Sequence, residues 1–480
     1  MKLGVVVQRY GQAINGGAEL HARYIAEHLR RHAQVEVLTT CATDYVTWQN
    51  ELPAGVERVN DIDVRRFRVK HERDPIAFGR LSERVFNQSH SVADELDWLD
   101  AEGPTSPALI DYVSRHASDY DFLIFFSYRY YHAYHGVRAV PSRAILVPTA
   151  ERDSTIGLSI FKSIFGSVRG LMYNSPEERA MIQEIAGNED VPSVVVGVGS
   201  EVPVSTQPAR FRQKFDVSGP FAVYVGRIDE NKGCKELFEF FEAYIRESAG
   251  RLTLVLIGNS LLEVPVHPRI RHLGFLNDAD KFDAIAAAEL LIMPSYFESL
   301  SMVALEAWAL GRPVLANAQC DVLKGQCIRS NAGLYYDGQS EFVEALRAIE
   351  HNRWIAGSLG RNGRQYYRDQ YDWPVIERKY LEMFDRLSKS TASKTVDPIP
   401  GWFERRKVDC PPAASVVSAL KSGPSILEGE AYLPRPEEPV SPPVPQRPAR
   451  PEIRAPQGRE RRSYGRSRRT GGHSRPGGRR

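Results

Sequence analysis

The chain has 480 residues, of which 42% are apolar and 25% are charged, and its formal net charge is +2. This composition is typical of a globular protein with a sizeable core, and the length suggests two or three domains. No stretch reaches the roughly 18 consecutive apolar residues that a membrane-spanning helix needs, so we expect a soluble or peripheral protein.

The first half of the chain alternates predicted strands and helices. Apolar patterning predicts a strand at residues 3–7, a helix at residues 17–32 and a strand at residues 35–39, which together form a βαβ unit. Further strands are predicted from apolar runs at residues 122–126, 144–147, 171–173 and 194–198. Residues 73–118 carry no pattern to which we assign a chemistry.

Two adjacent glycines, Gly16 and Gly17, join the first predicted strand to the first helix. Glycine there lets backbone amides approach an anion or a sugar closely, although a simple tight turn explains the pair equally well. The loop is not the GxGxxG fingerprint, and no acidic residue follows the second strand in the expected way. NAD binding is therefore disfavoured.

The strand-helix pattern restarts after residues 200–218, where Pro203, Pro208 and Pro220 indicate a linker. Strands are predicted at residues 221–225, 252–257, 290–293 and 314–316, and helices at residues 234–248, 278–288 and 301–310. The pattern predicts two successive α/β domains, and ligands favour the cleft between such domains.

Arg227 and Lys232 lie on the loop that follows the first strand of the second domain. Two cations at the carboxyl end of a strand suit a diphosphate, because arginine can contact two oxygens at once and lysine supplies a point charge. The alternative is a pair of solvated surface charges. The predicted helix at residues 301–310, with Ser299 as its N-cap, would direct backbone amides at the same phosphates.

Glu306 is a lone carboxylate on this almost entirely apolar helix. Such a helix is buried, and an unpaired buried charge is costly, so Glu306 must have a partner. One alternative is a buried arginine or lysine. The other is a hydroxyl group or a cation of a ligand at the open end of the strand-loop-helix unit.

The sequence GRIDENKG, followed about 70 residues later by PSYFESLSMVALEAWALGRPV, resembles the retaining glycosyltransferases of family 4. The motif core is Glu298-x7-Glu306, with Arg227 and Lys232 upstream, and the resemblance extends over residues 1 to about 388. It implies an α/β protein of GT-B architecture, in which two Rossmann-like domains face a central cleft.

The implied domains are an acceptor-side domain, a donor-side domain, a helix that crosses back to the first domain and a basic tail. They cover residues 1–203, 204–375, 376–390 and 391–480, respectively.

The resemblance also implies roles for individual residues. Arg227 and Lys232 would bind the diphosphate of a nucleotide-sugar donor, and Glu298 would contact hydroxyls of the transferred sugar. Backbone amides near Ser301 and Met302 would hold the distal phosphate.

Four further residues would complete the implied substrate contacts. Glu306 would accept hydrogen bonds from the ribose. Backbone groups near Phe275 and Leu276 would line the base pocket, and Gly16 and Gly17 would form an acceptor or phosphate loop.

One position departs from the family pattern. Many members place a histidine after a first-domain strand in a pattern like PTAH, whereas this chain reads LVPTAERD, with Glu151 there and Asp153 nearby. A carboxylate can bind sugar hydroxyls but cannot supply a neutral imidazole. Three explanations are open: the donor preference differs, the activity is reduced, or His132 or His135 takes the role of the missing histidine. For both histidines, a structural position in the core or on the surface is the simpler interpretation.

We therefore expect a retaining, metal-independent hexosyltransferase that uses a nucleotide-sugar as co-substrate, no other cofactor, and a glycan, lipid-linked or small-molecule acceptor. Departing phosphate would take the acceptor proton during same-face attack. The alternatives are a non-catalytic sugar-nucleotide-binding protein, for which Glu151 is the hint, and other GT-B chemistry such as a sugar-phosphate synthase.

Residues 391–480 hold 18 Lys or Arg, nine Asp or Glu and 15 of the 31 prolines, a composition that predicts disorder. This basic tail could contact an anionic membrane or simply solubilise the protein. Nucleic acid is disfavoured, because Tyr464 is the only aromatic residue in residues 446–480. Five scattered cysteines without a CxxC pair favour a cytoplasmic location, with peripheral membrane contact as an option.

Overall fold

The computed structural model describes residues 1–248, 250–390 and 394. All of them belong to one compact unit. The basic tail predicted at residues 391–480 therefore lies outside the described residues, apart from Lys394. Among the described residues, no helix combines the length and the apolar character that crossing a bilayer requires.

The first half of the chain forms one eight-stranded sheet. Its strands are β1 (Lys2–Val6), β2 (Gln34–Thr40), β3 (Gly55–Val59), β4 (Ile62–Phe67), β5 (Phe122–Phe126), β6 (Ala144–Val147), β7 (Gly170–Tyr173) and β8 (Ser193–Val195). The strand order is β3-β4-β2-β1-β5-β6-β7-β8. Neighbouring strands are parallel except for β3, which pairs antiparallel with β4. The order reverses between β1 and β5, and such a reversal leaves a crevice at the carboxyl ends of the strands.

The second half forms a parallel sheet of six strands. They are β9 (Phe221–Val225), β10 (Thr253–Ile257), β11 (Ile270–His272), β12 (Leu290–Met293), β13 (Val314–Asn317) and β14 (Gly333–Tyr336). Their order is β11-β10-β9-β12-β13-β14, so the reversal here lies between β9 and β12. Each sheet therefore offers a crevice at the carboxyl ends of its central strands.

Helices connect these strands. In the first half they are α1 (Gly17–Leu29), α2 (Pro75–Asn87), α3 (Val92–Glu102), α4 (Pro107–Arg115), α5 (Tyr131–Ala139), α6 (Ser159–Ser167) and α7 (Pro176–Ala186). In the second half they are α8 (Pro208–Lys214), α9 (Cys234–Glu247), α10 (Asp278–Ala287), α11 (Met302–Ala309), α12 (Asp321–Ser330), α13 (Gln339–His351), α14 (Arg353–Gln370) and α15 (Trp373–Ser388). Short 3₁₀ helices cover Ala117–Asp119 and Ser154–Gly157.

Both faces of the first sheet are buried. Along β5, Phe122 and Ile124 belong to one apolar cluster, whereas Leu123 and Phe125 belong to another. Alternate side chains of a strand point to opposite faces, so each cluster covers one face. This explains why the strands read as continuous apolar runs rather than as an alternating pattern.

The final helix, α15, packs against the first sheet although it follows the second in sequence. The ring of Phe384 stacks on that of Phe122 with 5.5 Å between centroids. At the beginning of α15, Trp373 stacks on His28 of α1 with a centroid distance of 3.5 Å. The helix that was expected over residues 376–390 thus begins three residues earlier in the structure, at Trp373.

Several predicted elements differ from the structure. The first helix ends at Leu29 rather than at residue 32, because the amide of His32 bonds to the carbonyl of Leu29 (2.9 Å) and closes a tight turn. Residues 73–118, which carried no interpretable pattern, form α2, α3 and α4.

The β3-β4 hairpin was not predicted from the sequence. Its two-residue turn is Asn60-Asp61, with φ values of 47° and 63°. This left-handed pair is the turn that matches the twist of a hairpin, and asparagine and aspartate tolerate it well. The Asn60-Asp61 pair could therefore have predicted the hairpin from the sequence.

Candidate active site

A cavity of about 500 Å³ lies at the carboxyl ends of the two sheets. Its lining includes seven of the predicted site residues, namely Gly17, Glu151, Arg227, Lys232, Glu298, Ser301 and Met302. The predicted residues that do not line it are Gly16, Phe275, Leu276 and Glu306. The structure thus brings the predicted charged groups of both domains, apart from Glu306, to one place.

Arg227 and Lys232 occupy the loop that follows β9. The Nζ atom of Lys232 lies 2.7 Å from Oε1 of Glu298, and the guanidinium of Arg227 contacts the carboxylate of Asp229. Burial alone would lower the pKa of Lys232, but the carboxylates of Glu298 and Glu151 hold it above its usual value. The loop therefore presents two fixed positive charges, which suits a diphosphate.

The next residue in this loop, Gly233, has to be a glycine. Its φ is +68°, and a Cβ atom there would overlap the carbonyl oxygen of Pro294, which follows β12. The close approach holds the loop that carries Lys232 against the loop that carries Glu298. The 2.7 Å ion pair spans the same two loops.

Helix α11 directs its N-terminus at the cavity. Its N-cap is Ser301, whose Oγ accepts a hydrogen bond from the amide of Ala304 (3.3 Å), and not Ser299 as the sequence predicted. Ser299 instead accepts a hydrogen bond at Oγ from Asn174 of the first domain (3.3 Å). Because Met302 and Ser301 line the cavity, the partial positive charge of the helix end adds to that of the two cations.

Glu306 has a cation partner away from the cavity. Its Oε1 accepts hydrogen bonds from Nζ of Lys281 (3.0 Å) and from Oγ of Ser200 (2.9 Å), and the residue is 2% exposed. The buried lysine considered as one alternative therefore exists. Oε2 is buried and has no hydrogen-bond partner among the described residues, so one acceptor remains unused. Ribose binding by Glu306 stays a prediction.

Phe275 and Leu276 lie on the loop between β11 and α10, outside the lining of the cavity. The Phe275 side chain is 63% exposed, and Leu276 packs against the core from a partly buried position. The structure therefore does not place these two residues with the charged groups, and their contact with a base stays a prediction.

The two glycines of the first loop differ in their surroundings. A Cβ atom at Gly16 would overlap the carboxylate of Glu19, whereas one at Gly17 would meet no atom of the described residues within 4 Å. Glu19 in turn accepts a hydrogen bond from Nε of Arg9 (2.8 Å). Gly16 thus makes room for a buried ion pair, and Gly17 opens directly onto the cavity.

Glu151 follows β6 and lies opposite the cations of the second domain. Burial, reinforced by the nearby carboxylates of Glu298 and Asp153, raises its pKa to about 7, although Lys232 and Arg129 oppose the shift. A substantial fraction of Glu151 is therefore a neutral carboxyl at neutral pH. In that form it can donate a hydrogen bond, which an ionised carboxylate cannot.

Neither histidine considered in place of Glu151 reaches the cavity. His132 is buried in α5, where its Nε2 lies 2.9 Å from the carbonyl oxygen of Phe126. His135 lies on the same helix, with Nε2 3.9 Å from a carboxylate oxygen of Asp100. His21, which the sequence analysis did not single out, does line the cavity, and burial lowers its pKa to about 3. It is therefore a neutral imidazole at physiological pH.

Two polar residues of the site that were not predicted lie within three residues after the end of a strand of the first sheet. Arg129 comes after β5, and Asn174 comes directly after β7; both line the cavity. Their positions after strands could have identified them as site residues, because the carboxyl ends of parallel strands meet at one edge of a sheet. Tyr45 could not be found in this way, since its hydroxyl meets a guanidinium nitrogen of Arg227 (3.3 Å) only across the cleft.

Comparisons with known proteins agree with this architecture. Residues 219–352 match the family model described as Glycosyl transferases group 1. Mannosylfructose-phosphate synthase from Agrobacterium fabrum is 23% identical over 209 residues, which are 40% of this chain and 46% of that protein. Against this and other curated relatives, the match spans about half of the relative's length.

Two solved structures share the fold. Sucrose-phosphate synthase from Thermosynechococcus elongatus superposes with a TM-score of 0.60 at 18% identity, covering 81% of this chain and 99% of that chain. The Anabaena HepE protein in complex with UDP gives a TM-score of 0.59 at 16% identity, covering 80% and 100%. The predicted GT-B fold is confirmed, as is the resemblance to group 1 glycosyltransferases, while membership of family 4 stays a prediction.

Proposed function

We propose that this chain is a retaining glycosyltransferase that moves a hexose-type sugar from a nucleotide-diphosphate sugar to a glycan, lipid-linked or small-molecule acceptor without a metal ion. The observation that carries the proposal is the convergence of Arg227, Lys232 and the N-terminus of α11 on one cavity that also contains Glu298. The cations suit two adjacent phosphates, and the carboxylate suits the hydroxyls of the sugar attached to them.

The charges of the site match the charge that transfer creates. Breaking the anomeric bond leaves negative charge on the departing diphosphate. Arg227 can contact two phosphate oxygens, Lys232 adds a point charge, and the amides near Ser301 and Met302 add the dipole of the helix end. Because the loops hold these groups in place before substrate binds, they stabilise the leaving group without reorganising. Metal independence is proposed on this basis.

The ion pair between Lys232 and Glu298 also bears on stereochemistry. Its 2.7 Å contact orients the carboxylate of Glu298, so that it can accept hydrogen bonds from sugar hydroxyls. A carboxylate held by a lysine is a poor nucleophile. We therefore propose same-face attack, in which the departing phosphate takes the proton of the acceptor hydroxyl and the anomeric configuration is retained.

Nucleotide release from purified protein tests the proposal. UDP-sugars are the first donors to try, because the HepE structure contains UDP, followed by GDP- and ADP-sugars. We expect at least one donor to be cleaved, EDTA to leave the rate unchanged, and NMR of the product to show a retained anomeric configuration. Binding of every donor without release would instead favour a non-catalytic sugar-nucleotide-binding protein.

Sugar phosphates and lipid-linked saccharides are both candidate acceptors. The names of mannosylfructose-phosphate synthase and sucrose-phosphate synthase place sugar phosphates among the acceptors to consider. A lipid-linked acceptor would suit a cytoplasmic enzyme held at an anionic membrane by the basic tail, which has 12 Arg against two Glu in residues 446–480. Liposome binding with and without residues 391–480 tests that contact, and equal binding would refute it.

A further inference from the structure

The first-domain wall of the cavity carries buried polar groups that lack partners. Gln8, His21, Tyr128 and Asn174 line the cavity and are each at most 3% exposed. Within the described residues, one polar atom of each has no hydrogen-bond partner: Oε1 of Gln8, Nε2 of His21, the hydroxyl of Tyr128 and Oδ1 of Asn174. Unpaired buried polar atoms are rare because they are costly, so four of them around one cavity point to a ligand.

These four groups are uncharged and of mixed hydrogen-bonding character. Gln8 and Asn174 offer carbonyl oxygens that accept, and the Tyr128 hydroxyl can donate or accept. Burial lowers the pKa of His21 to about 3, so its ring is neutral and offers one donor and one acceptor. Sugar hydroxyls both donate and accept, and they match such a set.

The side chains of the same wall offer no spare positive charge. Within residues 1–203, all of which the structure describes, Arg129 is the only lysine or arginine that lines the cavity. Its Nε lies 2.8 Å from Oε1 of Glu102, and one terminal nitrogen lies 3.2 Å from Oδ2 of Asp153. The other oxygen of Glu102 contacts Arg73 (2.7 Å). The positive charges of Arg129 and Arg73 are therefore matched by the negative charges of Glu102 and Asp153.

The remaining charges of this wall are acidic or already matched. Glu19 lines the cavity, and Arg9, which does not, neutralises it through an Nε contact of 2.8 Å. Glu151 forms no ion pair within residues 1–203. A donor diphosphate would occupy Arg227 and Lys232, each of which contacts one carboxylate. A second phosphate at this wall would meet only Arg129, which already contacts two carboxylates.

We propose that the acceptor is an uncharged, hydroxyl-rich saccharide and that the first-domain wall discriminates against sugar phosphates. The inference rests on the proposed glycosyltransferase function. In the transfer, the acceptor hydroxyl oxygen forms the new bond to the anomeric carbon, the bond from that carbon to the diphosphate breaks, and the hydroxyl proton passes to the departing diphosphate.

Matched acceptor pairs test this directly. The full-length protein and a donor that it cleaves are supplied with glucose, mannose, fructose or N-acetylglucosamine, each compared with its own 6-phosphate, and product is followed by mass spectrometry. Like charges at contact distance across a partly desolvated site are worth at least about tenfold in rate or affinity. We expect the unphosphorylated member to have at least a tenfold higher kcat/KM in every pair that reacts.

The outcomes separate the two proposals. A phosphorylated member that reacts as well as or better than its partner overturns the acceptor inference while leaving glycosyl transfer intact. Donor cleavage that no member of any pair accelerates also overturns it, because a plain saccharide is then not the acceptor. If no donor is cleaved at all, the proposed function fails and the inference fails with it.

Asp153→Asn probes the wall itself. The change releases one terminal nitrogen of Arg129, while an asparagine can still cap the amides of Thr155 and Ile156 that Asp153 now caps. We expect the ratio of kcat/KM for the unphosphorylated member to kcat/KM for its 6-phosphate to fall severalfold. Asp190→Asn is the matched control, because Asp190 is exposed on the same domain and does not line the cavity. An unchanged preference in Asp153→Asn, or an equal change in the control, contradicts the assigned role of Arg129.

Discussion

The ammonium group of Lys232 lies 2.7 Å from a carboxylate oxygen of Glu298, and both residues line the cavity between the sheets. The contact joins the loop after β9 to the loop after β12 at the point where the strand order reverses. A bound diphosphate would share the lysine with Glu298. The pair therefore couples the position of the phosphates to the position of the transferred sugar.

Replacing Lys232 by alanine removes half of this pair. We expect Lys232→Ala to lower kcat by about 10²–10³-fold, as loss of one preorganised charge contact typically does. Lys235→Ala is the control, because Lys235 is exposed on the same helix-loop segment and does not line the cavity. Steady-state nucleotide release measures both, and thermal melting reports folding. A Lys232→Ala enzyme with more than a tenth of the original kcat would remove Lys232 from the catalytic assignment.

Two substitutions separate a structural from a ligand-binding role of Glu306. Glu306→Ala leaves the Lys281 ammonium, whose side chain is 16% exposed, with Asp278 (3.1 Å) as its remaining carboxylate partner. We therefore expect it to lower the unfolding free energy by less than the roughly 3–5 kcal/mol that a fully unpaired buried charge costs. Glu306→Gln keeps an acceptor near Lys281 and should cost less. If the unpaired Oε2 binds ribose, Glu306→Gln should weaken donor binding about tenfold. Urea unfolding and calorimetric titration with nucleotide distinguish these effects; unchanged nucleotide affinity in Glu306→Gln would leave the carboxylate with a structural role alone.

The raised pKa of Glu151 predicts a pH dependence of transfer. The carboxyl titrates at about 7 in the folded protein, against an ordinary value of 4.5. Below pH 7 it is mostly neutral and can donate a hydrogen bond to the sugar; above pH 7 it adds a negative charge beside Glu298. We expect kcat/KM to fall as the pH rises through about 7, and Glu151→Gln to abolish that fall. A profile that is identical in the two proteins would exclude Glu151 as its source.

The same shift has a consequence for stability, with a definite sign. Between pH 4.5 and about 7 the folded protein holds a proton at Glu151 that the unfolded chain has lost, so stability falls as the pH rises through this window. Above about pH 7 Glu151 is mostly ionised in the folded protein as well, and the unfolding free energy no longer falls on its account. Glu151→Gln should therefore raise the unfolding free energy at pH 8 by roughly 1–3 kcal/mol and change it little at pH 4.5. Urea unfolding at both pH values measures this, and an equal gain at both would contradict it.

Gly233→Ala tests how the loop of Lys232 is positioned. The new methyl group would overlap the carbonyl oxygen of Pro294 at a residue with φ of +68°. Backbone strain of this kind costs on the order of 1–3 kcal/mol, and the overlap should also displace Lys232 and lower kcat. Gly219→Ala is the control, because φ is +75° there and no atom in the described part of the chain lies within 4 Å of the added Cβ. Equal effects of the two substitutions on kcat would show that the contact with Pro294 does not position the lysine.

Much of the fold could be read from the sequence for a local reason. Strands β5 and β9 are buried on both faces, so each appears as an unbroken apolar run at its observed position. The β3-β4 hairpin was harder to see because β3 is an exposed edge strand with a mixed pattern. Helices α2 to α4 carry no catalytic motif, so a search of the sequence for chemically informative residues did not identify them.

By itself, the sequence determined the two α/β domains, the cations Arg227 and Lys232 on a strand-end loop, and the need of Glu306 for a partner. Each of these follows from patterns within a few tens of residues. Only the tertiary structure decided that the partner is Lys281, that His21 rather than His132 or His135 reaches the cavity, and that Phe275 and Leu276 do not. The physical reason is that burial and propensity are recorded locally along a chain, whereas the partner of a buried charge depends on which distant segments pack together. That packing is set by the summed contacts of both sheets, and no single motif carries it.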